Sequence, residues 1–160
     1  MVKTFMDLEV YKECRILRKE VSKLTKTHFP PEERYRLTDQ IIRSSRGITS
    51  AISEGYGRFY YKENIQYCRI ARGSLMETLE HLITALDEEY ISEEILQRLN
   101  TQIDTCGKLL NGYINYLRKA KPPKDENKPL FVTGYLLLVI SGNRIDVSFL
   151  QSFQPITSNQ

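Results

Sequence analysis

Arg36, Arg43 and Arg46 recur at steps of 7 and 3, and Lys62, Arg69 and Arg72 repeat that spacing further along the chain. Residues so spaced share one face of a helix. A row of guanidinium and ammonium groups can follow a phosphate backbone, each contact releasing counterions. Two such rows, joined by Arg58 in the connecting turn, make Arg36, Arg43, Arg46, Arg58, Lys62 and Arg69 the candidate nucleic-acid-binding residues. Arg72 sits beside Gly73 and Ser74 and is expected instead to form a structural ion pair with Glu54 or Glu77. The turn Tyr56, Arg58, Phe59, Tyr60, Tyr61, Lys62 interleaves aromatic and basic groups. Single-strand binders stack bases on such rings, but aromatics at a helix end also cap cores.

Other chemistries find no support in residue type and spacing. Gly55 and Gly57 form no phosphate loop, because no strand precedes them and no Gly-Lys-Ser/Thr follows. His28 and His81 have no second histidine at ligand spacing and read as lone surface histidines. The Glu-x-x-His pairs of a di-iron bundle are missing. No nucleophile has a recognisable base in its motif. Neither catalysis, metal nor cofactor is expected.

The net charge of +3 hides a segregation along the chain. Residues 1–75 hold 15 Lys+Arg against 9 Asp+Glu, residues 76–104 hold 1 against 8, and residues 105–121 add four cations. Such a dipolar surface suits polyanion binding or contact between unlike faces; solvated faces that merely differ in sign fit as well. The scattered thiols Cys14, Cys68 and Cys106 fall at apolar helical positions, as buried small hydrophobes in a reducing compartment do. The N-terminus lacks the apolar run of a signal peptide, and Leu130 to Ile140 is too short to span a bilayer. A soluble, cytoplasmic protein with no membrane partner is expected.

Four helices must position these side chains. Val10, Cys14, Leu17, Val21 and Leu24 step by 4 and 3, and Phe29-Pro30-Pro31 closes that helix. Pro31 can open the second helix, with Glu32 and Glu33 favoured by its dipole. Leu37, Ile41, Ile48 and Ile52 form its core face, while Ser44, Gly47 and Ala51 allow close approach of a neighbour. Gly55 and Gly57 are expected to end it in left-handed geometry. The third helix, from about Lys62 to Glu88, would bury Ile65, Cys68, Ala71, Leu75, Leu79, Leu82 and Leu86. Asp87-Glu88-Glu89 reads as its terminal turn. Ser92 is the expected N-cap of the fourth, whose Leu96, Leu99, Ile103, Cys106, Leu110, Tyr113 and Leu117 make an uninterrupted heptad seam.

These elements give an all-α, antiparallel up-down four-helix bundle over residues 1–121. A linker follows at 122–129. The tail at 130–160 is either disordered or a short β-hairpin, from Leu130 to Ile140 and Arg144 to Leu150. Leu109, Tyr113 and Tyr116 widen the apolar face of the fourth helix. They mark either a homo-oligomer interface or aromatics lying along the bundle edge.

Several blocks carry a resemblance across about residues 5–120. Phe5-Met6-Asp7-Leu8-Glu9-Val10-Tyr11, Pro31 through Gln40, Ser53-Glu54-Gly55-Tyr56-Gly57-Arg58 with Lys62-Glu63, Ala71-Arg72-Gly73-Ser74-Leu75 followed by Glu77, and Leu110-Asn111-Gly112 followed by Leu117-Arg118-Lys119 resemble, in order, the proteins encoded in intervening sequences of bacterial 23S rRNA genes, also labelled ribosomal S23 proteins. The resemblance implies an antiparallel bundle assembling as a homopentamer with no known enzymatic activity. Relatives in that group include retroelement accessory variability proteins, which bind a reverse transcriptase and nucleic acid. The chain departs from the family's Ile-Pro-Ser-Asn-Ile-Ala-Glu-Gly at Ile48-Thr49-Ser50-Ala51-Ile52-Ser53-Glu54-Gly55, and Tyr60 replaces a capping serine. Two roles are therefore expected as alternatives: an RNA- or DNA-binding ribonucleoprotein or retroelement accessory factor, and a scaffold docking an acidic protein.

Overall fold

A computed structural model describes residues 2–58 and 60–120; the expected linker and tail lie outside the described residues. The described chain holds four long helices, α1 (Glu9–His28), α2 (Leu37–Tyr56), α3 (Tyr61–Asp87) and α4 (Glu93–Lys119), with short 3₁₀ helices at Phe5–Asp7 and Pro31–Tyr35. Each long helix packs on two neighbours, α1 and α3 both contacting α2 and α4. Partner numbers fall on one helix as they rise on the next: Ser44 meets Thr78 while Gly55 meets Asn64. The bundle is therefore antiparallel.

Residues Val10, Cys14, Leu17, Val21 and Leu24 of α1 are all buried, as the 4 and 3 steps require. The start of α2 differs from expectation. Pro30 and Pro31 lead into a 3₁₀ helix, and Arg36, at φ −120° and ψ −113°, breaks it from α2. The Glu33 carboxylate bridges that break, accepting the Leu37 N–H at 3.0 Å where an unpaired helix donor favours negative charge. Leu37, Ile41, Ile48 and Ile52 then enter the core.

The other end of α2 also corrects the sequence reading. Gly57 has φ −73° and ψ −9°, ordinary right-handed geometry, and among the described residues the non-glycine position with positive φ is Glu89, at 59°, in the α3–α4 turn. There the Tyr90 N–H reaches back to the Ala85 carbonyl at 2.8 Å. Gly55 serves proximity instead. A Cβ on it would lie 2.8 Å from the Tyr67 Cβ and 3.2 Å from the Asn64 carbonyl oxygen. Gly47 similarly faces Ser74, and the Thr78 hydroxyl donates to Ser44 Oγ at 3.0 Å. Small and hydroxylated residues thus let α2 and α3 run close together.

The centre of α3 lies one residue from the expected stripe in three turns. Asn64, Thr78 and Ala85 are buried, whereas Ile65, Leu79 and Leu86 are half-buried at its margin. The 4 and 3 steps persist, because backbone geometry and not residue polarity sets them. In α4, Leu99, Ile103, Cys106, Leu110, Ile114 and Leu117 are buried. Tyr113 yields its place to Ile114, so two successive steps of 4 interrupt the heptad. Ser92 holds the N-cap position without a side-chain cap bond.

All three cysteines are buried and free. Burial pushes the Cys68 thiol up to about 11, and the adjacent Cys106 together with burial raises Cys14. These thiols behave as small hydrophobes. His81 does not read as a surface residue: its side chain is only 13% exposed, 3.9 Å from Glu77, and its buried Nε2 has no hydrogen-bond partner. No described helix is long and apolar enough to cross a membrane.

Two alanine substitutions test the close α2–α3 approach. Gly55→Ala should destabilise the protein by about 1–3 kcal/mol through overpacking. Gly73→Ala, where a Cβ meets nothing within 4 Å, should stabilise it by about 0.5–1 kcal/mol. Urea unfolding of both variants decides; a neutral Gly55→Ala would mean that the two helices can separate freely.

Candidate nucleic-acid interface

Face geometry follows from the core. With Ile41, Ile48 and Ile52 inward and Gly47, Ala51 and Gly55 turned to α3, helical periodicity directs Arg43 outward and Arg46 toward α1. Arg43 is paired with Asp39 across one turn at 2.5 Å; both side chains are more than half exposed, so the pair contributes about 0.3–0.5 kcal/mol. The Arg36 and Arg46 side chains are exposed and make no ion pair or hydrogen bond among the described residues. On α1, Arg18 donates to Thr49 Oγ1 at 2.9 Å. Arg18, Lys19 and Arg46 converge on one groove between α1 and α2. Arg18 and Lys19 are adjacent in the sequence and carry no repeat of the 7 and 3 spacing, so the pattern that marks α2 and α3 does not mark them.

Arg58 is engaged within the protein. Its guanidinium pairs with Glu54 Oε1 at 2.6 Å, donates to the Tyr67 hydroxyl and lies 4.8 Å from the Tyr67 ring centroid. The Tyr67 hydroxyl and Arg58 together hold the Glu54 carboxyl below its ordinary value. Hydrogen bonding to Glu54 and burial raise the Tyr67 phenol. Tyr67 was missing from the candidate set, although its position nine residues after Arg58 placed it on the adjoining helix.

On α3, Lys62 and Arg69 are exposed, and Arg69 donates to Gln66 at 3.4 Å. Lys62 stands in the first turn, where the helix dipole opposes a cation. Arg72 forms neither expected ion pair; it donates to Asn111 of α4 at 3.1 Å. The α3 row therefore leans toward α4 while Arg46 leans toward α1. The two cationic rows diverge around the bundle and do not make one continuous surface.

The antiparallel arrangement also sorts charge by end. Glu32 and Glu33 share one end with Asp87, Glu88, Glu89, Glu93 and Glu94, tied together by Tyr90, whose hydroxyl donates to Glu33 at 3.4 Å and whose ring lies 5.7 Å from Phe29. Arg58, Lys62, Arg118 and Lys119 occupy the opposite end. There Tyr113 is half-buried and accepts a hydrogen bond from Asn64 Nδ2 at 3.1 Å, and Leu109 packs on the core. Tyr116, 64% exposed, stacks on Tyr113 with centroids 6.3 Å apart. Of the three proposed interface residues, it alone is largely open.

Residues 6–112 match the family described as 23S rRNA-intervening sequence protein. No curated protein matches the chain.

The Glu54, Arg58 and Tyr67 cluster has a definite pH sense. Because the Glu54 carboxyl is depressed in the folded state, its contribution is present above its ordinary value near 4.5 and lost as pH falls through the depressed one. Glu54→Gln should move the Tyr67 phenol down toward its ordinary value near 10, read by NMR titration of the ring carbons. An unmoved Tyr67 would show that Glu54 does not hold it.

Proposed function

The chain belongs to the 23S rRNA-intervening sequence protein family, and from that premise we propose that it is a non-enzymatic, self-associating bundle that binds RNA or DNA through phosphate contacts, as an accessory component of a ribonucleoprotein. The observation that carries this reading is the set of exposed cations with no carboxylate partner among the described residues, Lys19 on α1, Arg36 just before α2, Arg46 on α2 and Lys62 in the first turn of α3. Lys19 and Arg46 share one groove, where like charges repel when unneutralised. A polyanion supplies the missing charge, and counterion release favours its binding.

Diverging rows suit a strand that wraps the bundle or meets several copies of it. Exposed Ile70, Met76 and Ile83 on α3, together with Tyr116, supply apolar surface for association between copies, five in number by the family resemblance. A reverse transcriptase as partner belongs to the same proposal through that resemblance alone. The segregation of acidic and basic ends also favours a second reading, in which the basic end docks an acidic protein.

Two measurements test the proposal. In a salt-dependent titration with single-stranded RNA and DNA, the Arg36/Arg43/Arg46 triple Ala variant should bind at least about tenfold more weakly at low salt, with a shallower salt slope. No binding by the wild type, or equal binding by the variant, would leave the acidic-partner reading in its place. Sedimentation at micromolar concentration should show an oligomer, and a monomer alone would remove self-association.

A further inference from the structure

The groove between α1 and α2 has a chemical order that a general basic surface lacks. It encloses about 550 Å³, within the ~300–1,000 Å³ range of small-ligand sites. Arg18, Lys19 and Arg46 line it, and among the described residues no carboxylate does. A second groove, of about 400 Å³, contains Glu20 beside Lys23 and Arg98. There Arg98 is already paired with Glu20, so its cation is neutralised internally. The α1–α2 groove keeps its positive charge open.

Hydroxyls accompany the cations at helical spacing. On α1, Ser22 follows Arg18 by one turn; on α2, Ser50 and Ser53 follow Arg46 by one and two turns, and all three serines reach the groove. Residues one turn apart stand above each other on a helix face, so each helix offers a cation and then a hydroxyl to the same space. Arg18 is held in place by Thr49, which leaves further guanidinium donors for a ligand. Cations set among hydroxyls recognise a tetrahedral oxyanion, Ser22 and Ser50 being the hydroxyls left to donate, since Ser53 donates to the Ser50 carbonyl at 2.8 Å.

The other end of the groove is aromatic. Phe5 and Tyr11 line it in an edge-to-face pair, with centroids 4.9 Å apart and planes at 80°. The Asp7 carboxylate fixes the 3₁₀ helix bearing Phe5 by accepting the Lys3 and Thr4 N–H groups at 2.8 and 2.9 Å. From Tyr11 to Arg18 is seven residues, ~10 Å along the helix axis. One nucleotide covers that span from base to phosphate.

We propose that the groove between α1 and α2 is a nucleotide site, taking a phosphate at Arg18, Lys19 and Arg46 and a planar base against Phe5 and Tyr11. It rests on the nucleic-acid reading only for the source of the nucleotide, a strand or a free monophosphate. The site sets Arg46 apart from Arg43, which is already paired and lies outside the groove.

Calorimetric titration of the full chain with adenosine 5′-monophosphate and with adenosine, beside anisotropy with a short single-stranded RNA, tests it. The exposed positions Lys19→Ala and Arg46→Ala should each weaken the monophosphate roughly tenfold with melting temperatures preserved, whereas Arg98→Ala, which removes a cation of the other groove already paired with Glu20, should leave it unchanged. Adenosine should bind at least about tenfold more weakly than its monophosphate. If RNA weakens in the same two variants, the occupant is a unit of a strand. If the monophosphate behaves as stated and RNA does not bind at all, the groove holds a free nucleotide, and only the broader reading falls. No binding of the monophosphate, binding equal to that of adenosine, or equal losses in the Arg98 and Arg46 variants would overturn the site even where RNA binds.

Discussion

Gly55 has no side chain because Tyr67 and Asn64 occupy the place where one would begin, and this near-contact of α2 with α3 governs much of the bundle. Interior packing is dense enough that one carbon atom at such a position is felt. The approach continues through Gly47 against Ser74 and through the hydroxyl pair of Ser44 and Thr78. Those buried hydroxyls are satisfied across the interface or by carbonyls one turn back, so closeness leaves no polar group stranded there. Once the small face of α2 is committed to α3, the rotation of both helices is fixed.

That rotation decides where the charges go. Arg46 cannot face α3, and so it joins Arg18 and Lys19 along α1. Arg72 is carried to the far flank of α3 and meets Asn111. Two rows that look parallel in sequence become surfaces on different sides. Arg58, at the close turn, is drawn onto Tyr67 and Glu54, a consequence of the same proximity and of the short connection.

The sequence made the helices legible because apolar spacing of 4 and 3 is a direct statement of helical geometry. It was less informative where geometry overrode polarity. Asn64 and Thr78 are buried because they fall at core positions of α3, and each has a partner on a facing helix. Pro31 satisfied the local rule for a helix start, yet Arg36 breaks the chain and Glu33 caps α2 from outside. The candidate site was only half visible. Exposed arginines on α2 could be read from spacing, whereas the contribution of α1 depends on which helix lies beside Thr49, a tertiary fact that no local pattern contains.

The displacement of Tyr113 by Ile114 in the core of α4 also alters the supercoil. A strict seven-residue repeat winds helices about one another in a left-handed sense, while an eleven-residue repeat has the opposite tendency. From Ile103 to Ile114 the buried positions advance by 3, 4 and 4, so the left-handed winding relaxes over that stretch. The Tyr113 ring is left at the seam's edge, where its hydroxyl meets Asn64.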